Sequence, residues 1–334
     1  MTSLPATATG ATVRSDRAIH AHATPGWLDR TLRNYTWTLI GVTALLAVVV
    51  AAAAPSIAMQ TLVMLALVAT IGLPHGSFDI RVGSELLRER LGLAWAPVFC
   101  LAYLAAGGAA LAVWLYAPWV GLATLLLLGA AHWGADDLEH RQSAWLTRTW
   151  LAMSRGLVPV ATPLVAHAPA TAEIFAALTS GGSVAPGLVR ATGFFALACA
   201  APGLIVQAIR MRRAGGEQVV RSVAEVLVLL AWFIVVPPLL AFTVYFCLWH
   251  AVRHTLRSAA RLEPRVRGAA LRRYGVIVVG PTIATWAIAL IAWRLMQDTV
   301  TAPDAAWRLV FIGLFALTIP HVLLEMAADR APRV

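Results

Sequence analysis

The chain has 334 residues, of which 60% are hydrophobic and only 13% are charged. Soluble domains carry about a quarter of charged residues, so the composition excludes a soluble enzyme or a soluble domain on a single anchor and indicates an all-α, polytopic membrane protein. The net charge of +10 comes from arginines placed between apolar stretches, a pattern of membrane orientation and not of nucleic-acid binding.

Residues 1–34 are polar and carry Arg14, Arg17, Arg30 and Arg33. They read as a flexible cytoplasmic tail, and no apolar core with a cleavage site precedes residue 36, so no cleaved signal peptide is expected. His20 and His22 lie in this tail and are not expected to serve a site. A membrane-spanning helix needs about 20 mostly apolar residues. Ten candidate segments follow, at 36–54, 57–76, 95–117, 119–135, 152–168, 188–209, 222–236, 239–256, 275–296 and 307–327. Pro237-Pro238 separates the seventh from the eighth, because proline cannot continue a helix and disfavours helix in the residue before it. The membrane domain is thus expected over 35–328, with a short tail at 329–334.

With both termini inside, the loops at 77–94, 136–151, 210–221 and 257–274 are cytoplasmic and hold most of the arginines, including Arg81, Arg141, Arg213 and Arg265. This is a positive-inside distribution. Cys100, Cys199 and Cys247 all fall in apolar segments without metal-site spacing and read as small buried residues.

The same topology gathers the histidines. His75 in GLPHGSFD, His132 in AHWGADD, and His250 and His254 in WHAVRH end even-numbered segments, and His321 in TIPHVLLE lies in the inner half of the last. All five come to the cytoplasmic side. Ionisable groups at membrane depth are costly and mark function by default, and several converging imidazoles most often mean a metal. His250 and His254 are four apart and share one helix face. Asp79, Asp136, Asp137 and Glu325 follow these histidines at about one turn, where a carboxylate can accept the second imidazole N–H and fix its orientation; they can equally balance nearby arginines. His140 reads as solvated and His167 as structural. With no thiolate to help, nitrogen ligation leaves iron, zinc and copper open.

PHGSFD, HWGADD, the WHAVRH pair and PHVLLE, in this order, resemble the Brp/Blh family of bacterial and archaeal β-carotene 15,15'-dioxygenases over about residues 60–327. The resemblance implies a multi-pass protein of the cell membrane with histidine-bound Fe(II). It implies cleavage of the central double bond of β-carotene by O2 to two all-trans-retinal, a product that serves microbial rhodopsins. Carried over by motif, it implies iron ligation by His75, His132, His250 and His254, with His321 as a further catalytic histidine near the iron or the substrate. Trp133 stands where the family more often has Phe. A bilayer-soluble substrate would enter laterally, and Phe78, Trp133, Phe242, Tyr245, Phe246 and Trp249 are expected along its channel, although each is also ordinary aromatic packing. Two other readings remain. A membrane di-iron desaturase or hydroxylase would need more histidines than these. A non-enzymatic carotenoid or retinal carrier or transporter would use the helix-breaking Pro159, Pro163, Pro237 and Pro238 and the intramembrane Glu225, but no internal repeat supports it.

Overall fold

Proline sets several helix starts, because its missing N–H is an orphan in the first turn and its φ is already helical. Helices α6 (Pro118–Asp136), α9 (Pro186–Arg212) and α11 (Pro238–Val244) all begin on one. The computed structural model describes residues 25–136, 145–179, 182–212, 216–297 and 301–330, and no strand occurs among them. The remaining helices are α1 (Gly26–Ala53), α2 (Ile57–Leu67), α3 (Leu73–Gly76), α4 (Asp79–Leu91), α5 (Trp95–Tyr116), α7 (Trp145–Ala166), α8 (Ala168–Leu178), α10 (Gly216–Val235), α12 (Val252–Leu262), α13 (Arg267–Met296) and α14 (Ala302–Arg330).

Each of the ten expected apolar segments is helical. Among the described residues, seven helical stretches are long and apolar enough to cross a membrane: Gly26–Ala53, Ile57–Tyr116, Pro118–Ala135, Pro186–Arg210, Gly216–Val235, Arg267–Met296 and Ala302–Ala328. The expected second and third segments both lie in Ile57–Tyr116, which is interrupted by the turn at Ser77–Phe78 and by Gly92 at φ 54°. Helix α7 falls short because Arg148, Arg155 and two prolines dilute its apolar run. Three further differences have local causes. Helix α1 starts ten residues before the apolar run, inside the expected tail, because Trp27 and Leu28 pack on Leu256 and Ala260 of α12 and the Trp27 indole N–H donates to the Pro264 carbonyl at 2.9 Å. The expected loop 77–94 contains the amphipathic helix α4, and α8 follows α7 directly.

Helices α6, α7 and α9 meet through small residues. A Cβ on Gly134 would sit 1.8 Å from the Ala152 carbonyl oxygen, and one on Gly156 would sit 1.8 Å from that of Ala130. Only glycine permits this backbone approach, the usual way membrane helices gain van der Waals contact without a hydrophobic drive. On α6 the two contacts fall at Ala130 and Gly134, on either side of His132.

Two π-helical segments, Val68–Gly72 and Tyr245–Ala251, interrupt the α-helices that carry His75 and His250. Such insertions favour functional sites, since the extra residue turns the following side chains to a new azimuth. The two segments touch: a Cβ on Gly72 would lie 2.7 Å from the Phe246 ring.

Candidate metal centre and its cavity

Five histidines from four parts of the chain converge, and all five are buried. The His132 ring centroid lies 5.0 Å from those of His250 and His321. That of His75 lies 5.3 Å from His250, 5.5 Å from His254 and 5.9 Å from His321. His250 and His254 are 5.9 Å apart on their shared helix, and His254 is 5.4 Å from His321. The tightest group is His132, His254 and His321, whose candidate ligand atoms all lie within 4.8 Å of one another. His321 therefore stands inside the cluster on the same footing as the four histidines of the other motifs.

The imidazoles are held from behind. His75 Nδ1 meets the Gly72 carbonyl, which can only accept, so this nitrogen carries the proton. His321 Nδ1 lies 2.8 Å from Asp79 Oδ1, and the other carboxylate oxygen of Asp79 accepts from the Tyr103 hydroxyl at 2.8 Å. His132 Nδ1 lies 3.2 Å from Glu325 Oε2. Glu325 also comes within 3.8 Å of His254 Nε2 and 3.9 Å of His321 Nε2. The carboxylates thus exchange the partners that sequence proximity implies: Asp79 serves His321 instead of His75, and Glu325 serves His132 more closely than its own helix neighbour. Asp136 closes α6, and Asp137 and His140 lie outside the described residues. The backbone of the first motif has its own brace, since the Tyr274 hydroxyl reaches the Pro74 and His75 carbonyls at 3.1 and 3.2 Å. These carbonyls belong to the last turn of α3, where the Pro74 carbonyl also accepts from the Ser77 backbone N–H at 3.3 Å.

The donor set fits a metal. His132 Nε2 is buried with no hydrogen-bond partner, a costly state for a nitrogen whose ring is already oriented through its other atom. Imidazole nitrogens oriented by carboxylates are the arrangement that binds iron, zinc or copper.

His75, His132, His250 and His321 open onto a cavity of about 690 Å³, within the usual range for ligand sites. Its walls are overwhelmingly apolar. Phe242 and Phe246 line it, their rings stacked 5.6 Å apart, and Phe246 stacks in turn on His250 at 6.1 Å. Trp133 lines it as well. The expected channel residues Phe78, Tyr245 and Trp249 do not. Phe78 stacks on Tyr274 at 5.4 Å in a separate cluster, Tyr245 packs on Phe233, and the Trp249 indole donates to Thr43. The rings of residues 242, 246 and 250 follow one another in a stacked row along one face through the π-helical segment, and 245 and 249 lie off that row.

A third arrangement lies beside the site. Glu225 on α10 takes Arg253 at 2.8 Å and Arg155 of α7 at 3.0 Å, with Glu225 and Arg253 buried and Arg155 partly so. Arg253 also donates to Thr36 at 3.3 Å and covers the Trp249 ring at 4.8 Å. Sequence reading noticed Glu225 as an intramembrane acid but not its partners, and it missed Tyr103 and Tyr274 altogether. Their hydroxyls in apolar surroundings were the available signal.

The family model described as Beta-carotene 15,15'-dioxygenase matches residues 66–329, a range that contains all five histidines, Asp79 and Glu325. The chain belongs to this family. It is 29% identical over 319 residues to the probable beta-carotene 15,15'-dioxygenase Blh of Halobacterium salinarum, covering 89% of this chain and 92% of that one. It is 29% identical over 260 residues to the beta-carotene 15,15'-dioxygenase of uncultured marine bacterium 66A03, covering 78% and 90%. The probable beta-carotene 15,15'-dioxygenase Brp of Halobacterium salinarum is 27% identical over 306 residues. No solved structure matches.

Proposed function

We propose that this protein cleaves β-carotene at its central 15,15' double bond with O2, giving two all-trans-retinal. One observation carries the reading: a nest of five buried histidines, oriented by Asp79 and Glu325, opens onto a large apolar cavity in a chain of this family. One polyene and one O2 balance two aldehydes, each carbon of the broken double bond taking one oxygen. The histidines would hold Fe(II), with His132, His254 and His321 nearest one another and His75 and His250 closing the nest. Bound iron would supply O2 activation. The chain's own residues do the rest. The Phe242–Phe246 ladder and Trp133 offer flat apolar faces to a conjugated chain beside His250, and the apolar wall keeps water from the reacting carbons. No Ser or Cys nucleophile or general base is required by this chemistry.

The proposed setting is the cell membrane, crossed about ten times with both termini inside, which the arginine distribution and the interruptions within Ile57–Tyr116 support. A functional link to a microbial rhodopsin follows from the product. Expression in a β-carotene-accumulating bacterium tests the reading: the wild type should bleach the cells and yield retinal. His132→Ala and His250→Ala should each insert normally and leave the pigment intact. Unchanged colour with inserted wild-type protein and ample iron overturns it.

A further inference from the structure

The cavity is not equally enclosed on all sides. Toward α7 and α8 its lining is buried, as at Val160, Leu164, Thr171 and Leu178. Toward α5 and α13 the residues that line it are at the same time exposed: Cys100 and Leu104 on one helix, Gly280, Ala284 and Ile288 on the other. Leu104 is 63% and Ile288 59% exposed, although each borders the space that reaches the histidines. Both helices belong to stretches apolar enough to face lipid. Gly280 adds a second feature, since a Cβ there would meet nothing within 4 Å. Thr285, also in the lining, turns its hydroxyl back to the Pro281 carbonyl at 3.0 Å and so presents little polarity to the opening. The far side of α13 is anchored, with the Trp286 indole donating to the Ala69 carbonyl at 3.0 Å.

We infer that the gap between α5 and α13 is a lateral portal through which a long apolar polyene passes from the lipid to the histidine nest. Resting on the cleavage reading, this assigns the route and the residues that gate it. A substrate without polar groups has no reason to leave the bilayer. An opening edged by small residues, Gly280 and Ala284, on one side lets its flat chain slide in end-first while the rest stays solvated by lipid. The buried α7–α8 side receives the leading end.

Two measurements on the full-length protein in lipid nanodiscs test the portal. In the first, Gly280→Trp and Ala284→Trp should lower kcat/KM for β-carotene by about tenfold or more, the scale on which a pocket rejects a mis-sized group, with iron content unchanged. Leu290→Trp, on an exposed position of the same helix that does not line the cavity, should cleave at the wild-type rate. In the second, without O2, β-carotene should slow alkylation of Cys100 by pyrenylmaleimide several-fold and leave that of Cys199, exposed but outside the lining, unchanged. Wild-type kcat/KM in Gly280→Trp, or equal labelling of Cys100 with and without β-carotene, overturns the portal. A wild type that forms no retinal refutes the cleavage reading, and protection of Cys100 then still decides the portal.

Discussion

Asp79 shows how much of the site depends on a residue that stands behind one of the histidines. Its carboxylate binds His321 Nδ1 through one oxygen and the Tyr103 hydroxyl through the other, so the ring orientation of His321 is set two bonds deep in the structure. Loss of such a partner typically costs about 10–100-fold in metal affinity. Asp79→Asn should therefore bind the proposed Fe(II) about tenfold more weakly, read by chelator competition, with far-UV circular dichroism unchanged; wild-type affinity would mean that His321 needs no carboxylate. At this scale the sequence was legible in kind but not in pairing. Rare histidines in apolar segments announced themselves, and so did acids one turn away. Which acid faces which histidine depends on α4 and α14 coming together, and no local spacing encodes that. Tyr103 was hidden because a single Tyr in an apolar helix looks like any interfacial aromatic until its hydroxyl partner is known.

Helix boundaries were read more closely. Pro237-Pro238 divides α10 from α11 because a covalent restriction on φ acts whatever the surroundings. The π segments could not be foreseen, since they reflect how neighbouring helices crowd one another at Gly72 and Phe246 and leave no compositional mark. The same holds for the link between α7, α10 and α12. Glu225 ties Arg155 and Arg253 together, and Arg253 directly precedes His254, so this carboxylate fixes the azimuth of the helix bearing two of the five histidines. Removing one member of a buried ionic group costs about 3–5 kcal/mol, because the remaining charges lose their counter-charge. Glu225→Gln should lower the thermal unfolding midpoint of the detergent-solubilised protein clearly, whereas Glu217→Gln, on the exposed start of the same helix, should leave it within error; equal midpoints for both would show that the pair of arginines is stabilised in another way.

On the scale of the whole molecule, composition gave the helical, apolar class of the chain, and arginine placement led to the expectation that the histidines gather on one side; both required only bulk transfer energetics. What composition could not give is the shape of the void between the helices. That void is the sum of many small mismatches: glycines that draw α6 onto α7, Pro159 and Pro163 in its lining on α7, and the Phe242–Phe246 face turned inward. The cavity accordingly takes Trp133, Phe242 and Phe246 of the expected channel residues and leaves Phe78, Tyr245 and Trp249 outside.

The unequal enclosure of the cavity also bears on timing. A forty-carbon chain severed at its middle leaves two fragments of equal length, but only one of them lies beside the exposed α5–α13 edge; its twin is stranded against α7 and α8. Departure must then be sequential, and the inner aldehyde waits for the outer one to clear. Rapid-quench experiments over the first turnover should show a burst of retinal, followed by a slower steady rate set by the second departure. Linear formation from time zero would mean that no departure step limits turnover and would remove the stranded inner fragment as the slow step.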